Sequence, residues 1–136
     1  MKSTIDILIE ARNLILDINH WTQGMPAKAS TGYSIDPKSP DACAWCADGA
    51  LQRAAGNDYD AYYDASLILA KVARESFFVT QDSARFSDTC AYIHVNDGGD
   101  IAIDDKLNLN AAYTLSHANI LRCFDLAITR EAGAKT

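Results

Sequence analysis

The chain has 136 residues, a length that predicts one domain. With 49% hydrophobic and 22% charged residues it can bury a core and is no disordered tail. A formal net charge of −6 argues against non-specific nucleic-acid binding, which needs a basic footprint. No apolar run approaches the roughly 18 residues of a membrane span, and the N-terminus lacks the basic-then-apolar layout of a signal peptide, so a cytoplasmic protein without a membrane partner is expected.

Ser3 can cap a first helix, with Asp6 completing a short-armed capping box. Ile7, Leu8, Ala11, Leu14, Ile15 and Ile18 form its stripe, and Ile5, Ile9 and Leu16 widen it past half the circumference. Such a helix is contacted from several sides, and its pattern runs to Asn19 or His20. From Trp21 to Pro40 the pattern stops, punctuated by Gly24, Pro26, Gly32, Pro37 and Pro40. A loop of this length is functional or packed by its own side chains. Trp21, Met25, Tyr33 and Ile35 suit that packing, with Tyr33 to Ile35 as a short extended piece.

The stretch Asp41 to Gly56 then reads as a central helix. Ser39-Pro40-Asp41 supplies its start and Gly56 a left-handed cap. Cys43, Cys46, Ala47, Ala50, Leu51 and Ala54 share one face, mostly small, so neighbours can approach closely. Trp45 falls on the other side beside Gly49 and Gln52. Trp21 and the Pro26–Pro40 loop are expected to cover it, with Gln23 bonding backbone beneath.

After Asn57-Asp58, Ala61, Tyr62, Ala65, Ile68, Leu69 and Val72 mark a third helix ending near Phe77 or Phe78. Its Tyr59, Tyr62 and Tyr63 suit a partly exposed edge. Phe86, Cys90 and Ile93 mark a fourth, with Ser83 or Ser87 as cap, broken by Asn96-Asp97-Gly98-Gly99. Between Asp100 and Asn110, Ile101, Ile103, Leu107 and Leu109 alternate, which fits a small hairpin or an irregular loop. Ser116 can cap a last helix that buries Ile120, Leu121, Phe124, Ala127 and Ile128, with Gly133 beyond its end. The fold expected is mainly α: a compact single-domain bundle of four to five helices with a long ordered loop and room for one small β-hairpin, the alternative being α+β.

The ordered set Trp21-Thr22-Gln23-Gly24, Cys46-Ala47-Asp48-Gly49-Ala50-Leu51, Asn96-Asp97 and Phe124-Asp125-Leu126-Ala127-Ile128 resembles a small, functionally uncharacterised family of bacterial and phage proteins. The resemblance covers most of the chain. It implies a helical fold and a phage or prophage origin, and no reaction. Against the family's pattern, Gly98 to Leu115 reads as an insertion.

Cys43 and Cys46 have the spacing of a zinc half-site, which Cys90 and His94 could complete as a Cys3His set. The competing reading is buried thiols in a reducing cytosol, and no metal and no cofactor are expected. His20, His94 and His117 with Asp97 and the cysteines lack any local signature of a Cys–His nucleophile, so no catalytic residue is assigned. Trp21, Gln23, Trp45, Asn96, Asp97 and His117 are the candidates for partner or ligand binding. The expected function is that of a phage or prophage accessory protein that binds a protein partner, interfering with a host defence system from the host cytoplasm. The alternative is a small enzyme or ligand binder, with a pocket between the Trp21–Pro40 loop, the second helix and Asn96/Asp97. A tyrosine-rich or acidic surface patch favours the first reading and a closed polar pocket the second.

Overall fold

Ser3 and Asp6 do close a capping box: the Ser3 hydroxyl accepts the Asp6 N–H at 3.2 Å, and the Asp6 carboxylate accepts the Ser3 N–H at 3.3 Å. They open α1 (Thr4–Ile15) in a computed structural model that describes residues 2–77, 91–98 and 109–134. The other elements are β1 (Ala27–Ala29), β2 (Ala42–Trp45), α2 (Ala47–Ala55), α3 (Tyr59–Ser76), α4 (Ala91–Asn96) and α5 (Leu109–Ala134). The architecture is mainly α, five helices and one two-stranded antiparallel sheet among the described residues.

α1 buries Ile7, Leu8, Ala11 and Ile15 and packs against α2, α3 and α5, but Ile9 and Leu16, expected to widen its apolar face, are exposed, so the buried face is the narrower stripe. It ends at Ile15, short of Asn19. The Asp17 carboxylate accepts the Asn19 N–H at 2.9 Å, and this local bond turns the chain into a single 3-10 turn, Ile18–His20.

The stretch Asp41–Gly56 departs most from expectation. Its first part is β2, paired with β1 so that Ala27 lies opposite Trp45 and Lys28 opposite Ala44. Pairing continues past the strand, where Cys46 donates its N–H to the Pro26 carbonyl at 3.1 Å. The helix therefore starts at Ala47, and its cap is Cys46, whose thiol accepts the Gly49 N–H at 3.3 Å. Ser39 and Asp41 form a local turn instead, the Ser39 hydroxyl accepting the Asp41 N–H. Cys43 and Cys46 share no helical face, and Cys43 is exposed where a buried thiol was expected. Gly49 is needed here, since a β-carbon would stand 1.8 Å from the Pro26 carbonyl oxygen. Gly56, at φ +64°, ends α2.

The long loop is packed by its own groups. Trp21 and Pro37 are buried, and Met25 and Ile35 are half-buried. Tyr33 is not part of that packing; it is 79% exposed. Ser34 forms an isolated bridge with Lys28, and Ile35 donates to the Ala27 carbonyl, so the extended piece lies along β1.

α3 is capped by Asp58, which accepts the Ala61 N–H at 3.0 Å, and it ends with Phe77 as its C-cap. Of the fourth helix Ala91–Asn96 is described; Ser83, Phe86, Ser87 and Cys90 lie outside the described residues, as do Ile101, Ile103 and Leu107 of the proposed hairpin. Leu109 and Asn110 belong to α5, which begins well before Ser116. Ser116 is no cap: its hydroxyl donates to the Ala112 carbonyl one turn back, at 2.9 Å. Gly133 falls inside the last turn of α5, and part of the segment read as an insertion is helical. No helix among the described residues is long and apolar enough to cross a membrane.

Leu51 is fully buried on α2, the helix that touches α1, α3 and α4. Leu51→Ala should cost about 2–5 kcal/mol by leaving a cavity at this junction. Urea denaturation of the two proteins checks it, and an unchanged midpoint would remove α2 from the centre of the core.

Candidate functional site

Asn96 is the last residue of α4 and is 1% exposed. A buried carboxamide needs partners for two donors and an acceptor oxygen. Its Oδ1 accepts the Trp21 indole N–H at 2.8 Å and the Ala47 backbone N–H at 2.9 Å. Its Nδ2 donates to the Thr22 carbonyl at 3.2 Å and to the Asp97 carboxylate at 3.0 Å. The donor–acceptor pattern admits only this orientation of the amide.

The neighbouring candidates close around it. Gln23 donates to the Asn96 carbonyl at 2.9 Å, and the Asp97 carboxylate accepts the Gly24 N–H at 3.0 Å. The Trp21 ring lies 4.6 Å from Tyr113 and 5.1 Å from His117, centroid to centroid, and the Tyr113 hydroxyl donates to the Trp21 carbonyl at 2.9 Å. His117 sits 2.7 Å from the Ile15 carbonyl through Nε2. A carbonyl can only accept, so Nε2 carries the hydrogen, and His117 from α5 satisfies the C-terminal end of α1. Five of the six candidates thus meet in one network. Gln23 reaches α4 and does not support the loop beneath Trp45.

Trp45 stands apart. Its backbone joins the network through a bridge to Trp21 and through the Thr22 N–H, which donates to the Trp45 carbonyl at 3.1 Å. Its indole points to the loop and donates to the Pro37 carbonyl at 3.0 Å, with the Arg53 guanidinium 5.7 Å above the ring. The loop does cover Trp45, which is 8% exposed, although from a strand and not from a helix face.

A second cluster escaped the sequence reading. The Asp48 carboxylate, in the first turn of α2, accepts both the Tyr62 hydroxyl at 2.5 Å and the Tyr92 hydroxyl at 2.6 Å on one oxygen, and the Gln52 amide at 2.8 Å on the other. Gln52 at i+4 was a legible partner for Asp48. Tyr92 gave no signal, because α4 was read from the face of Phe86, Cys90 and Ile93. Burial, with Asp48 beside them, pushes the Tyr62 and Tyr92 hydroxyls well above the usual tyrosine range. Burial likewise pushes the Cys46 thiol up to about 11, the Gly49 N–H opposing and the Asp48 charge adding to the rise. A protonated thiol of this kind is no nucleophile. No group of three or more potential metal ligands occurs among the described residues, and Cys90 of the Cys3His set lies outside them.

Three depressions border these groups. One of about 190 Å³ lies between Gly24–Pro26 and Cys46, Asp48 and Asp97, below the roughly 300–1,000 Å³ of ligand pockets. One of about 430 Å³ lies between Gln23, Asp97 and Tyr113, walled by the chain on either side of residues 99–108. The third, about 350 Å³, is bounded by Lys38, Gln52, Gly56, Asn57, Tyr59 and Tyr62. Beside it the Tyr59 ring stacks on Tyr63 at 6.3 Å and tilts against Tyr62 at 5.9 Å.

A family of unknown function, DUF6197, matches residues 1–130. No curated protein and no solved structure matches the chain.

Asn96→Leu should strand the Trp21 and Ala47 donors in the interior, at about 1–3 kcal/mol for each unpaired group, and urea denaturation measures the loss. A variant as stable as the parent would show that the network is dispensable.

Alkaline pH should act through the buried thiol and phenols. The folded Cys46 holds its proton up to about pH 11, against 9.0 ordinarily, and the two tyrosines hold theirs above their ordinary 10.0. The folded state then binds more protons than the unfolded one, so stability falls as pH rises. Cys46 contributes fully below pH 9.0 and loses its contribution by about 11. The urea midpoint should drop between about pH 8 and about pH 10.5, and Tyr92→Phe should flatten the upper part of that fall. A midpoint constant across this range refutes the linkage.

Proposed function

The chain belongs to this family of unknown function, and from that premise we propose that it acts without catalysis, by binding a protein partner through the tyrosine-bearing face at the start of α3. One observation carries the reading: Tyr59 is 69% and Tyr63 44% exposed, side by side, with their rings stacked in open water. Large amphipathic rings presented together are what protein interfaces use as anchors. Helical spacing sets Tyr62, Tyr59, Tyr63, Asp60 and Asp64 in that order around α3, tyrosines first and carboxylates next. The net charge of −6 favours a basic partner surface.

The phage or prophage setting implied by the sequence resemblance makes a host protein, such as a component of a defence complex, the partner to test first. The ligand-pocket alternative has less support. Asp48 and Asp97, the carboxylates of the groove beside Cys46, already accept hydrogen bonds from within the fold.

The double variant Tyr59→Ala/Tyr63→Ala tests the face. Both positions are exposed, so stability should move by no more than about 0.5 kcal/mol for each. A partner captured from host lysate by the parent chain should be retained at least about tenfold less well. Equal retention would remove this face from the interaction.

A further inference from the structure

We propose that the cleft between the end of α2 and the first turn of α3 receives an arginine side chain of the protein partner. The assignment rests on the binding reading above and names the chemistry at its centre. The walls are the rings of Tyr59 and Tyr62, and the floor is the end of α2 at Gln52, Gly56 and Asn57. A guanidinium stacks on such rings and uses its remaining N–H groups on oxygens around them. The oxygens are there. Gln52 uses its Nε2 on Asp48, which leaves Oε1 to accept. Tyr62 has its hydroxyl held on Asp48, so it offers its ring and not its oxygen. The Asn57 side chain has no partner among the described residues. The end of α2 carries the negative pole of its dipole, and a cation already exploits it: Lys2 Nζ donates to the Ala54 carbonyl at 2.8 Å.

The molecule itself contains such an arrangement among the described residues. Arg53 lies 5.7 Å over the Trp45 ring and donates to the Pro37 and Ser39 carbonyls at 3.3 and 2.9 Å. The cleft offers the same ring-and-oxygen pairing to a guanidinium from outside. Asp60 and Asp64, which lie past Tyr63 around α3 and not on the cleft wall, have no ion-pair partner among the described residues. Lys38 is the one cation on the wall, exposed and without a side-chain partner among the described residues. It opposes the arginine, and it sets the sign of the test.

The probe is N-acetyl-arginine N-methylamide, titrated into the full chain by NMR, with its citrulline counterpart as the neutral control of the same shape. The expected shifts centre on the side-chain amides of Gln52 and Asn57 and the backbone amides of Tyr59 and Tyr62. The arginine probe should bind about three- to fivefold tighter than citrulline, Tyr59→Ala should weaken it by a similar factor, and Lys38→Ala should tighten it. Equal responses to both probes, shifts away from the cleft, or weakening by Lys38→Ala would overturn the assignment. Preference for the corresponding glutamate derivative, lost with Lys38→Ala, would overturn it in favour of an anion. If the arginine probe fails while Tyr59→Ala/Tyr63→Ala still loses its captured partner, only the arginine is refuted and the binding face stands.

Discussion

One buried carboxamide sets the arrangement of the interior. Asn96 links the loop after α1, the first residue of α2 and the end of α4, parts of the chain 75 and 49 positions away from it. Each of its hydrogen-bonding atoms has a partner, and three of those partners, the Trp21 indole, the Ala47 N–H and the Thr22 carbonyl, would otherwise be buried polar groups without one. An aspartate could not donate to the Thr22 carbonyl, and a leucine could not serve either side. The rest follows from that anchor. Trp21 is held with its ring between Asn96 on one side and Tyr113 and His117 on the other, and His117 then closes the end of α1. Residues from four helices and a loop are fixed relative to one another by side chains that were, in sequence, isolated polar letters.

The same completeness says what these residues leave undone. A group whose donors and acceptors are all engaged inside the fold has little left with which to hold a ligand or move a proton. Trp21 and Asn96 are in that position, whereas Gln23, Asp97 and His117 are engaged through Nε2, Oδ1 and Nε2 alone. The start of α2 is as fully engaged: Asn96 takes the Ala47 N–H, the Cys46 thiol takes that of Gly49, and the Cys46 carbonyl takes that of Ala50. No free N–H of these three remains for an anion. The ordered motifs that carry the family resemblance thus hold the fold together at Trp21, Cys46, Ala47 and Asn96.

Periodicity made α1 and α3 legible, since both carry long runs of large apolar residues at helical spacing and a capping side chain ahead of them. It failed at Ala42–Trp45, where Ala-Cys-Ala-Trp satisfies a helical and an alternating pattern equally, and the strand is decided by Ala27–Ala29 across a loop. Gly49 was placed beside Trp45, but the group that approaches it is the Pro26 carbonyl. Ser116 looked like a cap because a helix interior and a helix start both accept serine; the preceding turns of α5 held no strong apolar stripe to reveal it. The candidate polar residues were legible one at a time, as letters costly to bury, and Trp21, Gln23, Asn96, Asp97 and His117 do lie together. Their partners were not, because Tyr113 and the Ile15 carbonyl meet them only through tertiary packing.

α2 connects the two halves of this picture. At its start it hangs from Asn96, and at its end it forms the floor of the cleft beside Tyr59. Between them Asp48 ties the helix to Tyr62 on α3 and Tyr92 on α4 through a single carboxylate oxygen. Tyr62 is therefore a fixed wall: its hydroxyl is held from below while its ring borders the cleft. Gln52 is held by the other oxygen of the same carboxylate, which turns its own oxygen into the available end. The cleft is thus shaped before anything enters it, and binding there need not include the cost of ordering those two side chains. Tyr59 and Lys38, the exposed lips, are the parts left to adjust.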